Sequence, residues 1–166
     1  MTRFTKLAGI CAATAALAAS PVLGAGPDAG CYQRAYTPQH LAKYPAQIVE
    51  RITMDVHRDI NGDKVASLWV DLASQGHVGR TKFAGQRVSQ FLFCYDQQGQ
   101  SFCGVECDGG GFVVTKQSGT SLTFRTDYLM VGDTDECGGA VDLAEVQGQD
   151  VSYRLDRVNA SICAAR

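Results

Sequence analysis

The chain has 166 residues, with 15 basic and 17 acidic side chains and a net charge of −2 at pH 7. That balance gives no electrostatic attraction toward nucleic acid or anionic lipid, and neither is expected as a partner. Hydrophobic residues make up 45% of the sequence, enough for a packed core in a single domain.

The N-terminus carries Arg3 and Lys6, then an uncharged apolar run over residues 7–19, then Ser20, Pro21, Gly24 and Ala25. Positive, apolar and small residues in that order make a secretory signal over residues 1–25, removed after Ala25. The run is short of the roughly 20 residues that a membrane-spanning helix needs. Asp28 stands where a lipidation signal ahead of Cys31 would want an aliphatic residue, so no lipid anchor is expected. With Arg3 and Lys6 gone, 13 bases face 17 acids, a net charge of −4 for residues 26–166. No second apolar stretch reaches spanning length. The mature chain is expected as a monomer without a membrane anchor, in the periplasm or secreted.

Of the seven cysteines, Cys11 leaves with the signal. The six that remain, in an oxidising compartment, point to three disulfides. Zinc is the rival reading, but Cys103 and Cys107 lack a second close pair or a nearby histidine to complete four ligands. No cofactor is expected.

Thr37-Pro38 opens a short helix, Thr serving as N-cap and Pro at the first helical position, and Pro45 ends it. From residue 48 the apolar period becomes two. Ile52, Met54 and Val56 alternate with polar residues, as do Leu68, Val70 and Leu72. Between them lies Asn61-Gly62-Asp63; pairing 56 with 68 and 54 with 70 puts both apolar sets on one face, with a loop of odd length, three or five residues. Asp59, Asn61 and Asp63 also have the first, third and fifth spacing of a calcium loop, resembling the start of an EF-hand or dockerin loop. Lys64 then replaces the expected glycine and Val70 the bidentate Glu. A hairpin turn accounts for the same residues. Trp69, the only tryptophan, alternates with Leu68 and Val70 and so faces outward, either as an interface anchor or under a second layer such as the N-terminal helix.

Further strands are expected at residues 88–95, 101–107, 112–116, 122–126 and 151–155, separated by glycine-containing turns. If Gln98-Gly99 is a two-residue turn, 95 faces 102 and 94 faces 103. The latter is a non-hydrogen-bonded pair whose Cα atoms approach to about 4.5 Å, within reach of a disulfide. Cys94 is therefore paired with Cys103. The same register sets Tyr95 opposite Phe102, with Phe91 and Phe93 on that face as an aromatic core stripe. Cys31 and Cys163 lie near the two ends of the mature chain and are paired as a long loop closure; Cys107 and Cys137 pair by elimination. The glycines after Cys107 and Asp108 lack the Gly-Lys-Ser/Thr and helix start of a phosphate loop and read as a tight turn. Residues 127–150 hold Asp127, Asp133, Asp135, Glu136, Asp142, Glu145 and Asp150 with no basic residue. This is either a solvated lobe or a face for a basic partner, with Asp133, Asp135 and Glu136 as interface candidates beside Trp69.

Many short strands joined by tight turns with almost no helix define an all-β fold. The expected form is an antiparallel meander closed into a barrel of about eight strands, calycin-like, with a short N-terminal helix; a two-sheet β-sandwich is the alternative. His40, His57 and His77 show no HxH or HExxH spacing, and there is no Gly-x-Ser-x-Gly elbow. The leading function is a non-enzymatic, exported binding module. It takes either a small apolar ligand inside the barrel, although no lipocalin G-x-W is present, or a protein partner such as an envelope enzyme that it inhibits. Small periplasmic lysozyme inhibitors with eight-stranded barrels offer a fold-level analogy for the second version. A carboxylate-based or metal-assisted hydrolase and a structural component of an envelope complex are the alternatives.

Overall fold

The computed structural model describes residues 26–132 and 139–166. Nine strands form one antiparallel system: β1 Gly30–Ala35, β2 Val49–Arg58, β3 Lys64–Leu72, β4 Arg87–Gln97, β5 Gln100–Gly104, β6 Gly110–Gln117, β7 Ser121–Val131, β8 Val141–Asp142 and β9 Val151–Arg157. Each of β1 to β7 pairs with its sequence neighbour. Pairing of β7 with β9, and of β9 with β1, closes the ring, while β8 adds to the far end of β7 outside it. The architecture is an eight-stranded up-and-down barrel, and the closed pairing decides against the sandwich. Two short helices accompany it, α1 Pro38–Lys43 and α2 Ser161–Ala164.

Alternation sorts the side chains. Tyr32, Met54, Leu68, Leu92, Phe112, Phe124 and Tyr153 point inward and are fully buried with the rest of the apolar set. The aromatic rings interlock, with the centroid of Phe124 4.5 Å from that of Phe112 and 5.4 Å from that of Tyr153. The Tyr153 hydroxyl donates to the Leu143 carbonyl at 3.0 Å, which satisfies the one polar group that the ring carries inside.

Both mouths are covered. Residues 26–29 cross one of them, with Gly26 and Pro27 buried. Asp28 N–H donates to Gln117 Oε1 at 2.8 Å. Arg157 donates to the Ala29 carbonyl and to the Tyr32 hydroxyl, its guanidinium 4.9 Å from the Tyr32 ring centroid. At the opposite mouth, Thr37 caps α1 by accepting from His40 N–H, as its sequence requires. Gln75 Nε2 reaches the carbonyls of Leu41, Tyr44 and Gln47, tying the end of α1 and its following turn to the loop after β3.

The β2–β3 hairpin corrects the expected register. Val56 pairs with Ala66 and Met54 with Leu68, two residues away from the pairing of 56 with 68. A shift of two preserves the inward face, so the hydrophobic pattern alone cannot tell the two registers apart. The loop, residues 59–63, has the expected odd length. Cys94 lies opposite Cys103 and is bonded to it, with Cα atoms 4.0 Å apart, across a Gln98-Gly99 turn in which both residues take positive φ, as a type I′ turn demands. Cys31 is bonded to Cys163, which fastens α2 to the outside of β1 and β2. Cys107 is also disulfide-bonded; Cys137, its expected partner, lies outside the described residues.

An electrostatic row crosses β2, β3 and β4 on the outer surface. Asp71 lies between Arg51 and Arg87, and the Arg87 guanidinium grips its carboxylate at both oxygens. The Arg87 hydrogen bond, opposed by burial and aided by the charges of Arg87, Arg51 and Arg166, holds the Asp71 carboxyl below the usual aspartate range. Because Arg87 is half-exposed, Asp71→Asn should cost only about 1 kcal/mol at pH 7. A lowered folded value stabilises fully above the unfolded value near pH 3.9 and is lost as pH falls through the folded one. Urea midpoints of the two proteins should therefore differ at pH 7 and converge at the acid end of the titration.

Candidate functional site

The aromatic stripe expected in the core lies on the outside. Leu92 and Cys94 take the inward positions of β4, which turns Phe91, Phe93 and Tyr95 to solvent. Phe91 is 44% exposed, Tyr95 45%, and Tyr128 on β7 44%. Phe91 and Phe93 meet edge to face at 5.3 Å, and Tyr95 sits 5.3 Å from Phe102 on β5. Strand register sets Phe93, Gly104, Gly111 and Tyr128 in one row across β4, β5, β6 and β7.

The two glycines in that row make the surface concave. A Cβ on Gly104 would stand 2.7 Å from Phe102 Cε1, and one on Gly111 2.5 Å from Phe102 Cζ. The Phe102 ring therefore lies flat over bare backbone, covering glycine as aromatic neighbours do in sheets. On β7 the register slips beside Gly111 and Val113, so that Asp127 and Tyr128 are both exposed where strict alternation would bury one of them. Thr126 holds the irregularity: its hydroxyl donates to the Gly111 carbonyl at 2.7 Å and accepts from Tyr128 N–H at 3.1 Å. The result is a groove of about 470 Å³ between Phe93, Tyr95, Phe102 and Tyr128, with Val105, Glu106 and Asp127 along its edge.

Tyr128 also borders a second hollow, of about 590 Å³, lined by His77, Met130, Ala144, Glu145 and Val146. Glu145 is partly buried there, and burial raises its carboxyl above the ordinary range against the opposing charge of His40. Asp142 accepts from Leu129 and Ala144 N–H groups, so its carboxylate serves the backbone. Asp150 pairs with Arg125 at 3.6 Å.

The residues singled out from sequence are dispersed. Asp59 uses its carboxylate within its own loop, Oδ1 accepting from Asn61 and Asp63 N–H at 2.9 Å each, so the calcium-like spacing builds a turn. No cluster of three potential metal ligands occurs among the described residues. Trp69 is half-buried on the outer face of β3, diagonal to Phe91. Asp133, Asp135 and Glu136 lie outside the described residues. The three histidines are held separately: His40 between Tyr36 and Tyr44, His57 beside Asp55, and His77 against the Ala144 carbonyl.

Fold and groove together define an eight-stranded meander barrel with an aromatic, acid-edged hollow on its outside wall. No protein family, curated protein or solved structure matches the chain.

Proposed function

We propose that the protein is an exported binding module that recognises a protein partner through the outer aromatic groove of β4–β7. The carrying observation is the gathering of Phe91, Phe93, Tyr95, Phe102 and Tyr128 on one side of a closed barrel. Large aromatic side chains left in water on a rigid sheet, with a half-buried tryptophan beside them, have the composition of interface hot spots. A continuous cluster of buried apolar side chains lines the interior and favours a site on the outer wall over a small ligand within. Export, to the periplasm or beyond the cell, is supported by the signal-like N-terminus and by disulfides of the kind that oxidising compartments preserve. No described helix is long and apolar enough to cross a membrane.

The test is affinity capture by the immobilised mature protein from the exported fraction of its source cells, followed by titration of the purified captured protein. Tyr95→Ala and Tyr128→Ala each remove an exposed ring and should leave the melting temperature nearly unchanged. Each is expected to weaken binding by roughly 30-fold, the effect of a hot spot near 2 kcal/mol. Undiminished binding by both variants places the partner elsewhere and ends this reading.

A further inference from the structure

We propose that the groove accepts an arginine side chain presented by a basic protein partner; the inference rests on the docking reading above. Its first support is the hydrogen-bonding character of the lining. Glu106 and Asp127 offer carboxylates, which only accept, and among the described residues the hydroxyls of Tyr95 and Tyr128 are the only side-chain donors along the groove. No lysine, arginine or histidine among the described residues lines it. An acceptor-rich hollow is complementary to a donor-rich group, and guanidinium carries five N–H donors and no acceptor. A sugar, which brings acceptors as well as donors, finds few donors here.

Charge complementarity is the second support. Glu106 and Asp127 are exposed, and neither forms an ion pair among the described residues, whereas Asp71, Asp150 and Asp156 elsewhere on the surface are each matched to arginine. Other exposed acids, such as Glu50 and Asp96, also lack an ion pair among the described residues, but Glu106 and Asp127 are the two that border the aromatic groove. A planar cation can stack on the Phe93, Phe102 or Tyr128 ring while forking to a carboxylate, a combination that favours arginine over the compact ammonium of lysine. The protein makes the stacking half of this contact internally, with Arg157 over Tyr32 and Arg34 over Tyr36.

The experiment is an NMR titration of the mature protein with hexa-arginine, hexa-lysine and chitobiose, repeated on the Glu106→Gln/Asp127→Asn variant, whose melting curve reports that it is folded. Hexa-arginine is expected to shift the resonances of Phe93, Phe102 and Tyr128, to bind at least fivefold more tightly than hexa-lysine, and to lose at least tenfold in the variant. Equal affinity for the two cationic peptides, or binding that survives in the variant, reduces the effect to diffuse attraction by an acidic surface and overturns the proposal. Shifts caused by chitobiose but not by hexa-arginine overturn the arginine assignment while leaving the groove a binding site. If no probe moves these resonances, the arginine assignment fails, and the capture experiment with Tyr95→Ala and Tyr128→Ala decides the docking face independently.

Discussion

Replacing Cys31 and Cys163 together by serine is expected to destabilise the fold by roughly 5 kcal/mol and to lower the melting temperature by roughly 10 to 20 °C. The bond joins residues 132 positions apart, β1 at the start of the described chain to α2 at its end. Without it the unfolded chain regains nearly all of its end-to-end freedom, and the cost depends only logarithmically on loop length. The native state has little to offset the loss, because α2 spans four residues, too few to hold a helix by its own hydrogen bonds. Its removal would also expose the Cys31 side of β1, where both cysteines are now buried. Cys94 and Cys103 are the contrasting case. They lie nine positions apart across a type I′ hairpin that is already closed by ladder hydrogen bonds, so serine at both should cost only roughly 2 to 3 kcal/mol. Thermal melts of the two double variants rank them; equal losses would mean that loop closure is not the source of the stabilisation.

The two disulfides differ equally in how they could be read from sequence. Gln98-Gly99 fixes a two-residue turn, a two-residue turn fixes register, and register brings Cys94 to Cys103 without knowledge of the rest of the barrel. The same reasoning could not say which face of β4 is inside, because Leu92 and Cys94 on one face and Phe91, Phe93 and Tyr95 on the other are both apolar. Register alone gathers the aromatic residues on one face and reads them as a core stripe. What reverses it is shape: the Cys94–Cys103 bridge and the slim Leu92 fit inside a narrow barrel already holding Phe112, Phe124 and Tyr153. A clue was present in Gly104 and Gly111, which leave space for a ring outside but contribute nothing to a core. The slip that exposes both Asp127 and Tyr128 has no such clue, since it is imposed by pairing with β6. Strand β1 was hidden for a related reason. Arg34 occupies the position facing Ile52 across the ladder, yet stays in solvent at the strand end beside Asp156, so the alternation that marks a strand never appears.

Phe124→Ala should cost roughly 3 to 5 kcal/mol and leave a cavity between Phe112 and Tyr153, because neither ring can collapse into the space without breaking its own packing. Both neighbours are fully buried, and the Tyr153 hydroxyl is tied to the Leu143 carbonyl, which fixes one wall. A void lined mainly by rings and aliphatic side chains stays dry and can bind a small apolar molecule. Benzene is therefore expected to raise the melting temperature of the variant in a concentration-dependent way, as mass action requires of a ligand specific for the folded state. The wild-type protein should gain nothing from benzene, since side chains occupy the same volume. This comparison bears on function as well as on stability. A wild-type barrel stabilised by benzene would have usable room inside, and attention would return from the outer groove to an apolar ligand within.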